Sequence, residues 1–332
     1  MDLPHVSQVL SLPLTGTYSI SVVVPAFNEQ EVIFEFHRRT AAVLRDMGVP
    51  YEMVYVNDGS TDTTLSVIRS LRERDPNVTI VDLSRNFGKE IAVTAGLDQT
   101  RGDVAIVIDA DLQDPPELIP ELVAAWREGN DVVYTVRTAR DGETWMKRTT
   151  AHMFYRTIQS LSPLKIPADT GDFRLLSRRA VEALRQVRER HRFMKGLFAW
   201  IGFPQKGVLY RRDPRAAGTT KFNYWKLWNF ALEGFTSFSI APLKMATYLG
   251  FMVAVLSFAY SIWVIYKTLM YGEPVQGYPT LMVVILFLGG VQLVAIGLLG
   301  EYLGRIFDEV KQRPLYLLNG LERSRLAGSG PE

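Results

Sequence analysis

The sequence predicts an α/β domain built on a mostly parallel sheet and joined to a two-helix transmembrane hairpin. Three observations lead there. Up to Arg137, apolar β-forming runs alternate with helical patterns at βαβ spacing. Polar clusters follow four of those runs, where open α/β sheets bind their ligands. Toward the carboxyl end, two long stretches carry no charge at all.

Ser19–Phe27 (SISVVVPAF) is nearly continuous in apolar residues, as a strand covered on both faces must be. Asn28 and Glu29 then open an amphipathic helix to Met47. Tyr51–Asn57 is the next strand, and DGSTD (Asp58–Asp62) turns it into a helix ending near Arg74. Asn77–Leu83 is a third strand, followed by SRNFGKE (Ser84–Glu90) and a helix through Leu97. The strand Val104–Ile108 ends in acid. Asp109 and Asp111 lie two residues apart, so an extended backbone sends both carboxylates from one face, which Gln113 continues. Asp114, Pro115, Pro116 and Glu117 read as an N-cap and first turn of a helix to about Gly129, and Asp131–Arg137 is a strand.

The pattern then loosens. Thr138–Lys147 reads as a charged loop, Arg148–Leu161 as helix, Thr170–Leu184 as a strand entering a helix, and Val208–Arg212 as a short strand. Arg215–Lys221 (RAAGTTK) is a basic loop. Residues 222–243 mix Trp225, Trp228, Phe230, Phe235 and Phe238 with Lys226 and Glu233, which predicts a helix lying in a membrane interface.

Met245–Tyr266 and Pro274–Gly300 are uncharged, and each can cross roughly 30 Å of hydrocarbon as a helix. Basic residues weight the outer flanks, with Lys267 alone in the connecting loop, so the positive-inside rule places the α/β domain and both termini in the cytoplasm. The expected organisation is a loose leader (1–17), a cytoplasmic domain (18–221), an interfacial helix region (222–243), a hairpin (244–300, spans about 245–266 and 280–300) and a cytoplasmic tail (301–332). A net charge of +2 over 332 residues gives no field for nucleic acid. The absence of cysteine excludes disulfides and thiolate zinc sites, and the four histidines have no ligand spacing. No GxxxxGK[ST] or GxGxxG motif occurs.

Two carboxylates at a strand's carboxyl end suit Mg²⁺ or Mn²⁺ that keeps room for phosphate oxygens, although a solvated acidic turn fits the same residues. On a membrane-tethered α/β domain such a pair suggests transfer from a nucleotide diphosphate to a lipid, the cation neutralising the departing diphosphate.

VVVPAFNE, VNDGSTD, SRNFGKE, DADLQDPPE, TGDFRL, RAAGTTK and the GEYLGR end of the second span together resemble the polyprenyl-phosphate glycosyltransferases of glycosyltransferase family 2. That group has the GT-A fold and includes dolichyl-phosphate mannose synthase; the resemblance is greatest to two-span bacterial undecaprenyl-phosphate glucosyltransferases and covers about residues 18–318. It implies inverting hexose transfer, glucose favoured, from a UDP-sugar to undecaprenyl phosphate at the bacterial inner membrane. It also implies roles. Pro25, Phe27, Glu29 and Asp58 hold base and ribose, Lys89 lies near the diphosphate, and Asp109, Asp111 and Gln113 form the metal and diphosphate site. Arg137 meets the acceptor phosphate. Arg140, Lys147 and Arg148 join it or belong to a solvated loop, and Arg215 and Lys221 close over the site or attract anionic lipid. Asp111 and Asp172 are the catalytic candidates. A phosphate monoester, with a second pKa of about 6, is already mostly dianionic at neutral pH, so Asp172 is expected to orient the acceptor rather than deprotonate it. Gly289, Gly290, Gly297, Gly300 and Gly304 permit close helix packing, which with family precedent implies a homotetramer. A GDP-mannose-using synthase and a non-catalytic membrane scaffold stay open; a processive polysaccharide synthase would want more spans and a QxxRW motif.

Overall fold

A computed structural model describes residues 18–137, 170–190, 192–210 and 277–324, with isolated helical positions between 248 and 270. Four strands, β1 (Ile20–Ala26), β2 (Tyr51–Asn57), β3 (Val78–Leu83) and β4 (Val104–Val107), are almost wholly buried along their lengths. Runs with no polar face need cover on both sides, and they get it. Alternate residues such as Val22, Val24, Met53, Tyr55 and Ile106 pack against α1 (Ile33–Asp46), α2 (Thr64–Arg74) and α4 (Ile119–Arg127). Their neighbours, including Val23, Val54, Val56 and Val107, pack against α3 (Lys89–Gln99), α5 (Arg178–Gln186) and α6 (Met194–Trp200). Gly96 lets α3 approach closely, since a Cβ there would lie 2.3 Å from Val23 Cγ1.

The sheet has eight strands in the order β7-β5-β6-β4-β1-β2-β3-β8, with β5 (Val132–Arg137), β6 (Thr170–Ser177), β7 (Gln205–Tyr210) and β8 (Leu318–Glu322). The run β4-β1-β2-β3 is parallel, and β7 is parallel to β5. β6 runs antiparallel to both β4 and β5, pairing Val107 with Arg174. A reversed strand starts where its neighbours end, so the first residues of β6 stand beside the carboxyl end of β4.

Several expected boundaries move. α1 begins at Ile33 rather than Asn28, because Asn28 takes a left-handed turn (φ 56) and its side chain accepts a bond from Thr61 N. β4 stops at Val107, and Leu112 (φ 59) lies in a turn, so strand alternation is not what brings Asp109 and Asp111 together. Asp114 caps no helix: it accepts a hydrogen bond from the Tyr210 hydroxyl, and a 3₁₀ turn at Pro116–Leu118 leads into α4. β7 starts earlier than expected, at Gln205. The long apolar helix α7 (Tyr278–Val310) continues past residue 300, and the expected tail contains β8, paired antiparallel with β3. Beyond β8, Ser324 Oγ donates to Glu52 Oε2 at 3.0 Å and Arg101 Nη2 donates to the Ser324 carbonyl at 3.1 Å. The expected leader, the helix at Arg148–Leu161, the basic loop from Arg215 to Lys221 and the interfacial helix fall outside the described residues.

Candidate active site

The carboxyl ends of β1–β4 are joined by loops that tie one another down. Asn28 N donates to Ser60 Oγ and Glu29 N to Thr64 Oγ1, which binds the PAFNE loop to the NDGSTD loop. Asp58, 3 % exposed, accepts from Phe87 N at 2.7 Å and Gly88 N at 2.9 Å, which anchors the SRNFGKE loop. Gly59 must be glycine: its φ is +64, and a Cβ would fall 2.4 Å from Arg85 C and Asn86 N. Lys89 follows at the first position of α3, so its placement depends on that anchored loop.

Lys89 Nζ lies 2.6 Å from Asp109 Oδ2 and 2.5 Å from Asp172 Oδ2, and Lys195 Nζ lies 3.3 Å from Asp172 Oδ1. Burial alone would push Asp172 up, but Lys89 and Lys195 outweigh it and hold its carboxyl well below the usual carboxylate range. Burial raises Asp109, and Lys89 only partly offsets it because Asp172 adds like charge. Lys89 keeps 44 % of its side-chain surface open, yet burial of its ammonium is outweighed by the two carboxylates, which raise its pKa. Behind this group, burial and Asp172 push Glu90 up to about 7 while its carboxylate accepts from Met194 N. Arg174 is buried over the Phe198 ring at 4.0 Å, and desolvation brings it down to about 10.

Pro25, Phe27, Glu29, Asp58, Lys89, Asp109 and Asp111, the seven residues expected to hold the nucleotide sugar, all line one cavity of about 300 Å³. Gln113 is buried, and its backbone N donates to Asp111 Oδ1 at 3.2 Å. Asp172 joins this group through Lys89. Arg137 ends β5 opposite Tyr210, while Arg140, Lys147, Arg148, Arg215 and Lys221 fall outside the described residues. Among the described residues no three His, Cys, Asp or Glu side chains form a metal cage. Lys195, Glu90 and Arg174 were missed from sequence. Lys195 sits in HRFMKG, which has no periodicity or spacing to single it out; Arg174 lies two residues after Asp172, and that was its only signal.

Residues 21–185 match Glycosyl transferase family 2, and residues 241–306 match the GtrB C-terminal hairpin. An uncharacterized glycosyltransferase of Synechocystis is 54% identical over 92% of this chain and 96% of its own length. The chain belongs to glycosyltransferase family 2. Within it, an SfII prophage-derived bactoprenol glucosyl transferase of Shigella flexneri is 50% identical over 92% of this chain and 98% of its own. A prophage bactoprenol glucosyl transferase homolog of Escherichia coli is 47% identical over 92% and 99%. As a family 2 enzyme with a GT-A-like α/β sheet, the chain carries its charged cluster where its own PAFNE, NDGSTD, SRNFGKE and DADLQD segments meet.

Proposed function

We propose that the protein transfers glucose from UDP-glucose to undecaprenyl phosphate with inversion, giving a β-linked polyprenyl-phosphate sugar and UDP. One observation carries the reading: the likeness to bactoprenol glucosyl transferases runs over nearly the full length of both chains, and the carboxyl-terminal hairpin is matched as well. Pro25, Phe27, Glu29 and Asp58 would take base and ribose. Lys89, at the amino end of α3, would face the diphosphate, where a cation and a helix amino end act in the same sense.

Asp109, Asp111 and Gln113 would hold Mg²⁺ or Mn²⁺. The residues fit it: the donors are all oxygen, and Asp109 and Asp111 bring two carboxylates to the wall of one cavity. When bound, the cation would neutralise charge growing on the leaving diphosphate. Arg137, with Arg140, Lys147, Arg148, Arg215 and Lys221, is proposed to meet the acceptor phosphate, whose oxygen attacks the anomeric carbon. Asp172 would orient rather than abstract, because two lysines hold its carboxylate. Asp172→Asn is expected to lose activity at every pH; recovery at high pH would instead mark a proton acceptor.

We further propose that α7 crosses the bacterial inner membrane as the second arm of a hairpin with 245–266. Its apolar window is unburied, unlike a core helix. β8, which follows α7, shares a sheet with β1–β7, and a hydrogen-bonded sheet lies on one side of a bilayer. The chain from Tyr210 to Leu318 therefore crosses an even number of times, and a crossing by α7 requires another before it. Both termini would then be cytoplasmic. Gly289, Gly290, Gly297, Gly300 and Gly304 have no described atom within 4 Å of a built Cβ, which leaves room for helix contacts in a homotetramer.

The test is to incubate the full-length protein in nanodiscs with labelled UDP- and GDP-sugars and undecaprenyl phosphate, with and without divalent cation. Cation-dependent UDP release with label in the lipid from UDP-glucose is expected. No lipid label from any sugar would sink the reading, and label only from GDP-mannose would correct it.

A further inference from the structure

A second cavity, of about 210 Å³, adjoins the donor cavity and shares Gly88 and Lys89 with it. We infer that this cavity, lined by Phe87, Lys89, Arg190, Arg192 and Phe193, is the port where the phosphate headgroup of the prenyl acceptor first binds, before it moves past Lys89 to the sugar. The inference rests on the proposed transfer to a polyprenyl phosphate and extends its acceptor side to Arg190, Arg192 and Phe193, which lie outside the motifs.

Four observations carry it. The lining holds three cations, Lys89, Arg190 and Arg192, against one carboxylate, Glu90. Arg192 is 5 % exposed; its Nη1 donates to the Val187 carbonyl, and its Nε has no hydrogen-bond partner among the described residues. A buried guanidinium with an open N–H is a costly arrangement that an anion relieves, and guanidinium suits phosphate oxygens. Arg190 is tied to the end of α7: its backbone N donates to Glu309 Oε1 at 2.6 Å and its Nη2 to the Arg313 carbonyl. The cavity therefore lies beside the helix proposed to enter the bilayer, where a lipid-anchored substrate arrives. Finally, Phe87 and Phe193 give it apolar walls for the alkyl chain next to the phosphate. Its size suits a headgroup rather than a whole nucleotide sugar, since pockets for drug-sized ligands run from about 300 Å³ upward.

The decisive experiment compares the wild-type full-length enzyme with Arg192→Met, Arg192→Lys and Arg190→Met in nanodiscs. With farnesyl phosphate as a soluble acceptor, each Met variant is expected to raise the acceptor KM about tenfold, the worth of one charge-assisted contact, with UDP affinity unaltered. Arg192→Lys should recover part of the loss, which a packing defect would not. Calorimetric titrations of nucleotide-free protein with farnesyl phosphate, farnesol, inorganic phosphate and phosphatidylglycerol separate the sources. Support is a tenfold weaker binding of farnesyl phosphate in Arg192→Met, with farnesol and phosphatidylglycerol unmoved. Equal weakening toward phosphatidylglycerol would make the cavity a general bilayer-headgroup site, and an unchanged acceptor KM would remove it from the acceptor's route; either result overturns the inference. Wild-type transfer to undecaprenyl phosphate keeps these outcomes apart from failure of the proposed activity.

Discussion

Two charged clusters sit at opposite ends of the same strands and are built on opposite principles. At the amino ends, Glu52 is fully buried. Its Oε1 accepts from Ser21 Oγ at 2.7 Å and Arg101 N at 2.8 Å, and its Oε2 from Arg101 Nη2 at 2.8 Å and Ser324 Oγ at 3.0 Å. One carboxylate meets one guanidinium, and both carboxylate oxygens are used. At the carboxyl ends, Asp109, Asp111, Asp172 and Glu90 gather around Lys89 and Lys195, with Lys89, Asp109 and Asp172 all partly open to solvent. The first cluster is closed and holds the fold. Among the described residues the second carries more acid than base and keeps open surface, as a site that takes a ligand does. The structural cluster is sealed from solvent with both carboxylate oxygens bonded, whereas the functional one keeps its charges at a cavity wall.

The sharpest way to break this contrast is to strike each cluster once. Asp111→Ala should cut transfer by at least about 10²–10³-fold, the scale for removing one electrostatic stabiliser of a transition state, while leaving the protein folded and inserted. Near-normal turnover there would return the acidic run to a solvated turn. Arg101→Met should do the reverse. It strands Glu52 without its counter-ion, costing about 3–5 kcal/mol in thermal unfolding, with the KM for UDP-glucose of the folded fraction unaltered. A changed KM with unchanged stability would dissolve the distinction.

Glu90 refines it through pH. Burial and Asp172 raise its folded pKa from 4.5 to about 7, so ionising it disfavours the fold. Stability is therefore lost as pH rises from 4.5 to 7 and is level above that. Glu90→Gln escapes this loss and should gain about 1–3 kcal/mol on the wild type between pH 5 and pH 8, read from paired melts. An identical difference at both pH values would show that Glu90 ionises freely. The smallest effect is expected for Ser324→Ala, which removes one hydrogen bond to Glu52 and should cost about 1–2 kcal/mol with no change in kinetics.

The four parallel strands were legible because an unbroken apolar run has one stable home, the middle of a covered sheet. The donor-side residues followed, since topology alone sends the carboxyl ends of such strands to one edge. What brings Asp109 to Asp172 was not legible. It depends on β6 running backwards, and a run such as TGDFRLLS reads the same in either direction. The contacts of Lys195 depend on α6 packing against the sheet, which leaves no local trace. β8 is five residues long with weak alternation, so nothing distinguished it from the rest of a tail. Asp58 was expected to touch a ligand, and it lines the donor cavity, but both its oxygens also hold the loop that carries Lys89.

β8 also sets a timetable. Its pairing joins Ile80 to Glu322, and Ser324 reaches back 245 residues to Thr79. While the chain is being made, the edge of β3 stays bare until Leu318–Glu322 leaves the ribosome, after α7 has already emerged. Exposed strand edges recruit other strands, so an incomplete chain carries a sticky margin. β8 is thus a closing stitch, and a chain truncated before Leu318 should aggregate through β3 even though every residue of its donor cavity has been synthesised.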